Sequence, residues 1–112
     1  MDDCLFCKIV AGEVPAEVVH STERTVAFRD LNPQAPTHVL VVPRDHFPDA
    51  AALAAGDPAA SAEVLLRAAA VATAEGHDDY RLVFNTGAGA GQSVFHAHVH
   101  LLAGRPMGWP PG

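Results

Sequence analysis

The sequence predicts an α+β fold, in which a five-stranded antiparallel sheet is covered by one long and one short helix. Three segments rich in β-branched or aromatic residues come before a single long helical segment, and two more come after it. The chain has 112 residues, of which 49% are hydrophobic, so it can bury one core. We therefore expect a single domain over residues 1–112.

The first part of the chain predicts a short helix and a β-hairpin. The segment "LFCKIVAGEVP" (5–15) is helical in pattern, and Gly12 and Pro15 are typical of the point where a helix ends. The segments "EVVHST" (17–22) and "TVAFRD" (25–30) predict two strands, which the tight "TER" turn joins as a hairpin.

A third strand and the long helix follow. The segment "THVLVVP" (37–43) is β-branched and ends at a proline, after a loop (32–36) in which two prolines prevent regular structure. Asp57 supplies an N-cap and Pro58 a first-turn proline for a helix that runs to Gly76. The side chains expected to lie on the sheet share a helical spacing: Ala62, Leu65, Leu66, Ala69 and Ala72 or Thr73.

Two further strands and the glycine-rich loop between them complete the pattern. The strands are "YRLVFNT" (80–86) and "HAHVHLLA" (96–103), and the ending "GRPMGWPPG" is irregular. The glycines of "NTGAGAGQSVFH" leave backbone N–H groups accessible, and with the hydroxyl of Ser93 they can cradle an anion without a lysine. No G-K-[ST] follows, so this is not a P-loop, and a plain hairpin connection also explains the glycines.

Three histidines stand at alternate positions in "SVFHAHVH" (93–100). In a strand, His96, His98 and His100 would line one face, because side chains at i, i+2 and i+4 point the same way. A solvated strand face explains the row poorly, since imidazole is a poor β-former and three of them serve no packing purpose. A catalytic zinc site with an open position and an imidazole nucleophile with hydrogen-bonding neighbours both remain possible. Spacing alone does not distinguish them.

Charge and the first residues limit the possible partners. Thirteen acidic against seven basic residues give a net charge of −6, which disfavours nucleic acid but allows a small phosphate ligand. No apolar run is long enough to span a membrane, and the chain opens with acids where a secretory signal opens with bases. We therefore expect a cytoplasmic protein without a membrane partner. In that compartment Cys4 and Cys7 favour thiols or metal ligands over a disulfide.

The histidine row matches the signature of the histidine-triad (HIT) superfamily, in which three histidines alternate with apolar residues. The segments "FRDLNPQAPTHVLVVPRDH", "RLVFNTGAGAGQSVFHAHVHLLAGR" and "MGWPPG" resemble its histidine-triad nucleotide-binding, or purine nucleoside phosphoramidase, branch. The resemblance covers most of the chain except the helix 57–76. It implies a HIT-like fold and a homodimer whose two sheets form one ten-stranded sheet. Because related nucleotidyl transferases carry glutamine at the position of His100, it also implies a hydrolase.

The resemblance further implies an active site without a catalytic cofactor. His98 would attack the α-phosphorus of a purine nucleoside 5′-phosphoramidate or a related nucleotidyl conjugate. Water would then cleave the nucleotidyl-histidine and release AMP or GMP. His100 would bind the phosphate and handle protons, and His38 would orient the triad from behind. The other residues implied to bind the nucleotide are Asp30, Leu31, Asn85, Gly91, Gln92, Ser93, which is also catalytic, and Trp109.

A structural zinc site is the second site that the sequence suggests. C-x-x-C with two distant histidines is a reasonable Cys₂His₂ zinc set. HIT proteins of bacterial type with this "DCLFCKI" opening often bind zinc, which implies Cys4, Cys7, His46 and His96 as the ligands. A pair of buried free thiols is the alternative.

Two other functions are compatible with the same residues. One is the hydrolysis of dinucleotide polyphosphates on the same fold, and the other is a nucleotide-binding regulatory protein with only vestigial turnover. Intact His98 and His100 favour an enzyme.

Overall fold

The computed structural model describes residues 3–112 and confirms the α+β fold with a five-stranded antiparallel sheet. The strands are β1 (Val18–Ser21), β2 (Thr25–Arg29), β3 (Thr37–Pro43), β4 (Tyr80–Val83) and β5 (Val99–Ala103). The helices are α1 (Leu5–Val10), α2 (Ala50–Gly56) and α3 (Pro58–Ala74), with a 3₁₀ turn at Ala88–Ala90. The spatial order is β1-β2-β3-β5-β4. No helix within residues 3–112 is long and apolar enough to cross a membrane.

The register between β3 and β5 distinguishes the two faces of the sheet. Leu40 lies opposite His100 and His38 lies opposite Leu102, so these four side chains share one face. The other face, covered by α2 and α3, forms the main core and buries Val39, Val41, Val99 and Leu101. Because α2 and α3 cover only that face, the histidine-bearing face is available to α1 and to a ligand.

Helix α3 presents a different face to the sheet from the one predicted. Its fully buried residues are Ala60, Val64, Ala68, Val71 and Ala72, so only Ala72 of the predicted set is among them. Leu65 and Leu66 are 42% and 60% exposed. The helix has alanines on several sides, so hydrophobicity does not single out one stripe. The small residues at 60, 68 and 72 let the helix approach the sheet closely, and the leucines remain outside.

The structure has one helix more than predicted and shorter strands at the end. The sequence does not predict α2, because "AAALAAG" has a single large apolar residue and no periodicity. Asp49 caps this helix by accepting a hydrogen bond from the Ala52 N–H at 2.9 Å, and Leu53 anchors it in the core. β4 ends at Val83, and β5 begins only at Val99. Two of the three histidines of the row therefore precede the strand.

Candidate active site

A groove of about 240 Å³ opens on the sheet face that bears the histidines. Helix α1 and the chain after it form one side, and the end of β2 forms another. The apolar side chains that line it include Leu5, Phe6, Ile9, Phe28, Leu31 and Leu40, and the polar ones include Asp30, Ser93, His98 and His100. A larger hollow of about 750 Å³, between β4 and residues 104–107, contains none of the predicted site residues.

His98 is held in one tautomer by the backbone. Its Nδ1 lies 2.7 Å from the carbonyl oxygen of His96, and because a carbonyl only accepts, Nδ1 carries the proton. The Nε2 atom therefore keeps its lone pair. Burial lowers the pKa of His98 below its ordinary value, which outweighs the raising effects of the His96 carbonyl and of Asp30. The ring is therefore a neutral base at neutral pH, as a nucleophile must be.

His38 fixes the tautomer of His100 in the same way. The Gln34 backbone N–H donates to His38 Nδ1 at 3.0 Å, so His38 carries its proton on Nε2. That proton is donated to His100 Nδ1 at 2.9 Å, which leaves the His100 proton on its own Nε2. Burial, followed by the neighbouring His98 and His38 rings, lowers the pKa of His100 to about 4. His100 is thus a neutral hydrogen-bond donor at neutral pH.

Asp30 connects the edge of the groove to this histidine pair. It follows β2 directly, and its Oδ2 lies 3.4 Å from His38 Nε2. Its Oδ1 accepts the Asn32 N–H at 2.8 Å, which holds the carboxylate in place. Next to it, Leu31 is 95% exposed at the rim. An anchored carboxylate beside an apolar rim can accept hydrogen bonds from vicinal hydroxyl groups of a ligand.

The glycine-rich loop offers Ser93 as a hydrogen-bond donor to the groove. The backbone N–H groups of Gly91 and Gln92 donate within the loop, to Ala88 and Gly87. Within residues 3–112, the Ser93 N–H and hydroxyl make no hydrogen bond, and Ser93 lines the groove. Gly91 has a φ of +95°, a conformation that glycine adopts without strain. A Cβ atom added to Gly91 would lie 3.9 Å from Asn85 Nδ2, so the Asn85 side chain lies beside the loop.

The side chain of Gln92 is turned into the glycine-rich loop. Its side chain accepts the Gly87 N–H at 2.8 Å and donates to the carbonyls of Pro48 and Val94 at 2.7 and 3.1 Å. It is only 4% exposed. Both side-chain N–H donors of Gln92 are therefore used inside the protein, where they shape the loop, and its contact with a nucleotide stays a prediction.

The four predicted zinc ligands come together beside α1. The Nδ1, Nε2 and Sγ atoms that Cys4, Cys7, His46 and His96 offer lie within 4.8 Å of one another. His96 donates from Nε2 to the Pro43 carbonyl at 2.8 Å, so its Nδ1 lone pair faces both sulfurs at 3.5 Å. His46 Nδ1 lies 3.4 Å from Cys7 Sγ. A tetrahedral zinc, with Zn–S of about 2.3 Å and Zn–N of about 2.0 Å, requires a sulfur-to-nitrogen separation of about 3.5 Å.

The residues of this cluster therefore fit a zinc ion. Burial and the neighbouring Cys4 side chain raise the pKa of the Cys7 thiol to about 11, so the thiol is protonated at neutral pH unless a cation displaces the proton. A bound zinc would link α1 to His46 and to His96 just before β5.

The three histidines of the row do not converge on one ion. His96 belongs to the cysteine cluster, whereas His98 is directed to the groove. Asp30, His38 and His100 form the other group of potential ligands among the described residues. In that group His38 Nε2 and His100 Nδ1 are hydrogen-bonded to each other, so these two nitrogens are already occupied. This geometry favours the nucleophile interpretation of the row over a catalytic zinc.

The structure also brings to the site residues that no sequence motif marks. Phe6 lies edge-on to the His98 ring, with centroids 4.9 Å apart, and Phe28 lies 5.4 Å from Phe6. The backbone N–H of Gln34, which donates to His38 Nδ1, is part of the site although no sequence pattern indicates it. Trp109 does not line the groove of its own chain and is 84% exposed in the tail.

The fold and the site define a class of small α+β proteins, in which a sheet presents histidines to an apolar groove beside a glycine-rich loop. A family model described as "HIT domain" matches residues 11–107. The chain belongs to the HIT family, which confirms the resemblance inferred from the histidine row.

Relatives and solved structures cover the chain almost completely. It is 46% identical over 111 residues to the "14 kDa zinc-binding protein" of Zea mays, with 96% of this chain and 87% of that protein covered. It is 40% identical over 109 residues to the "purine nucleoside phosphoramidase" of Escherichia coli K12, with 96% and 92% covered. The crystal structure of a HIT family hydrolase from Legionella pneumophila superposes with a TM-score of 0.93 at 50% identity, covering 98% of this chain and 100% of that one.

Proposed function

We propose that this protein is a hydrolase that cleaves purine nucleoside 5′-phosphoramidates or related nucleotidyl conjugates and releases AMP or GMP. The observation that best supports the proposal is the 2.7 Å hydrogen bond from His98 Nδ1 to the His96 carbonyl. It leaves an unprotonated nitrogen on a ring that lines the groove. The name of the Escherichia coli relative supports the choice of substrate class.

The groove suggests how such a substrate binds. The base would lie in the apolar part, between α1 and the aromatic ring of Phe28. The ribose hydroxyls would donate to Asp30, with Leu31 beside the nucleoside. The phosphate would then reach the other end of the groove, where Ser93 and the Nε2–H of His100 offer donors. Asn85 would contact the same region from the loop, with Gly91 holding the loop in its left-handed turn.

The proposed reaction proceeds in two displacements. His98 Nε2 attacks the α-phosphorus, and the bond from phosphorus to the leaving nitrogen breaks as the new N–P bond forms. The leaving nitrogen takes a proton from solvent through the exposed hydroxyl of Ser93. The imidazole becomes positively charged, and the His96 carbonyl stabilises that charge through the retained Nδ1–H. Water then attacks phosphorus and loses one proton to solvent, while the N–P bond breaks and its electron pair returns to Nε2, so that the nucleoside monophosphate leaves.

The Ser93 donors and His100 would stabilise the charge that grows on the phosphoryl oxygens, as an oxyanion hole does. His38 acts through His100, because its Nε2–H fixes the proton of His100 on the side that faces the groove. These roles need no catalytic cofactor.

The test is the release of AMP from adenosine 5′-phosphoramidate. Removing the nucleophile in His98→Asn should lower kcat by more than the ~10²–10⁴-fold typical of a lost general acid or base, while AMP still binds. An acid-quenched reaction of the unmodified protein should show nucleotide attached to His98 by mass spectrometry. Retention of activity within tenfold in His98→Asn would contradict the assignment. A dinucleotide polyphosphate as the preferred substrate would favour the alternative hydrolase, and binding of AMP without turnover of any conjugate would favour the regulatory protein.

We also propose a homodimer, since the chain leaves two surfaces that a second copy could cover. β4 is an edge of the sheet with free backbone groups, and Tyr80 on it is partly exposed. Leu65 and Leu66 form an apolar stripe on the outer side of α3. Pairing of β4 with its copy would give a ten-stranded sheet, and the Trp109 tail would approach the partner's groove. Sedimentation at micromolar concentration should show a dimer, and a monomer would contradict the proposal.

The remaining expectations belong to the same proposal. The cysteine cluster would hold one structural zinc, as the name of the Zea mays relative suggests for that protein. It stays a prediction that residues 1–112 form a single domain. The cytoplasmic localisation and the lack of a nucleic-acid or membrane partner also stay predictions.

A further inference from the structure

Helix α1 takes part in two sites at once. Cys4 and Cys7 supply sulfur ligands to the metal cluster, and Phe6 stands between them in the sequence. The Phe6 ring packs edge-on against the His98 ring at 4.9 Å and 88°, and against Phe28 at 5.4 Å. Together with Leu5, it lines the groove. A movement of α1 therefore changes the groove and the contact on His98 together.

Helix α1 has few anchors apart from the cysteine cluster. It has only six residues, and a helix of that length is unstable by itself in water. Phe6 is its only fully buried residue. Ile9 and Val10 are only partly buried against the same apolar side chains. Cys4 caps the helix by accepting the Cys7 N–H at 3.4 Å and is itself a candidate ligand. Metal coordination would tie both ends of this turn to His46 and His96.

His96 makes a second connection between the cluster and the groove. Its Nδ1 faces the two sulfurs, whereas its backbone carbonyl accepts the His98 Nδ1–H at 2.7 Å. Its Nε2–H is bound to the Pro43 carbonyl on β3. The residue that would bind the metal with its side chain therefore orients His98 with its backbone.

We propose that a metal ion in the cysteine cluster and a nucleotide in the groove stabilise each other's binding, with Phe6 transmitting most of the effect through its contact with His98 and the groove. The inference rests on the proposed nucleotide site. Such coupling is reciprocal: the factor by which the metal strengthens nucleotide binding equals the factor by which the nucleotide strengthens metal binding. Couplings between two sites in one protein are typically about 5- to 150-fold.

The experiment measures both halves of this cycle with Zn²⁺ and AMP. Isothermal titration calorimetry gives the Kd of AMP for the zinc-loaded and the metal-free protein, and competition with a chelator gives the zinc affinity with and without saturating AMP. We expect AMP to bind at least about fivefold more weakly to the metal-free protein, and the zinc affinity to rise by the same factor with AMP. Circular dichroism establishes that the metal-free protein is folded.

Two variants on α1 separate transmission from general stability. Phe6→Leu keeps an apolar side chain but removes the ring contact with His98, so the coupling factor should fall towards one while one zinc is still bound. Val10→Ala is the matched control, because Val10 packs on the same cluster of apolar side chains but does not line the groove. Its coupling factor should equal that of the unmodified protein, even if its melting temperature is lower.

Several results would overturn the inference. Equal AMP affinities, within twofold, in zinc-loaded and metal-free protein would show that the sites are independent although the nucleotide site is real. An unfolded metal-free protein, or an equal loss of coupling in Phe6→Leu and Val10→Ala, would reduce the effect to folding. Absence of AMP binding in both forms would instead reject the proposed function itself.

Discussion

The buried His100 should make the protein less stable as the pH falls, and His100→Gln should weaken that dependence. Burial and the neighbouring histidines lower the pKa of His100 from 6.5 to about 4. The unfolded chain therefore takes up a proton near the ordinary pKa, whereas the folded protein does so only near the lowered one. The free energy of unfolding is therefore unaffected by the titration of His100 above the unfolded pKa, and it decreases as the pH falls towards the folded pKa.

The size of the effect follows from these two pKa values. Between about pH 7 and about pH 5, one histidine with this shift lowers the free energy of unfolding by about 2 kcal/mol. Glutamine does not titrate, and its side-chain oxygen can accept the hydrogen bond that His38 Nε2 donates to His100. Burial also lowers the pKa of His38, His96 and His98. Their contributions remain in both proteins and largely cancel in the difference.

Urea unfolding followed by circular dichroism, at constant protomer concentration, measures this difference. The unmodified protein should lose about 2 kcal/mol more than His100→Gln when the pH is lowered from about 7 to about 5. His20→Gln removes an exposed histidine from β1 and controls for the loss of one imidazole. If His100→Gln and the unmodified protein lose the same free energy, the argument from burial is wrong.

Four further results are expected. The kcat/KM for the phosphoramidate should stay constant as the pH falls to about 6.5 and drop only below it. The reason is that burial lowers the pKa of His98, and protonation removes its lone pair. A midpoint above about 6.5 in the pH–rate profile would refute this. Leu101→Ala should lower the free energy of unfolding by about 2–5 kcal/mol in urea, since Leu101 is fully buried; a loss near zero would contradict the assigned core. The purified protein should contain about one zinc per chain by elemental analysis, and a chelator should lower its melting temperature; a metal-free preparation with an unchanged melting temperature would exclude a structural ion. Leu66→Asp should shift sedimentation towards the monomer while circular dichroism stays unchanged; an unaltered dimer would place the interface elsewhere.

The sheet is predictable from the sequence because its strands have a strong local signal. β3 is apolar on both faces and ends at a proline, and the structure gives the predicted bounds, Thr37–Pro43. The buried side of a helix is harder to predict here, because alanine has high helix propensity but does not indicate which side of the helix packs on the sheet. In α3 the buried stripe runs through Val64 and small residues, while the larger Leu65 and Leu66 face outward. The side of an alanine-rich helix that meets the sheet depends on how closely the backbones approach, which hydrophobicity does not report.

The candidate site also has residues that the sequence predicts and residues that it does not. His98, His100, Asp30 and Ser93 lie around one groove, and the roles that the family resemblance implies for them stay predictions. Phe6 has no such signal, because an apolar residue in a short helix predicts core packing equally well. The position of Trp109 depends on a second chain, so nothing in one chain's sequence pattern specifies what it contacts.

The unequal roles of the three alternate histidines follow from where β5 begins. In a continuous strand, all three rings would share one face, and the His96 carbonyl would be free to pair only with a neighbouring strand. The pairing with β3 starts instead at Val99, and just before it the Ala97 N–H donates to the Phe47 carbonyl at 2.7 Å. The His96 carbonyl is thereby left for the Nδ1–H of His98. The irregular start of β5 thus accompanies the hydrogen bond that fixes the lone pair on His98 Nε2.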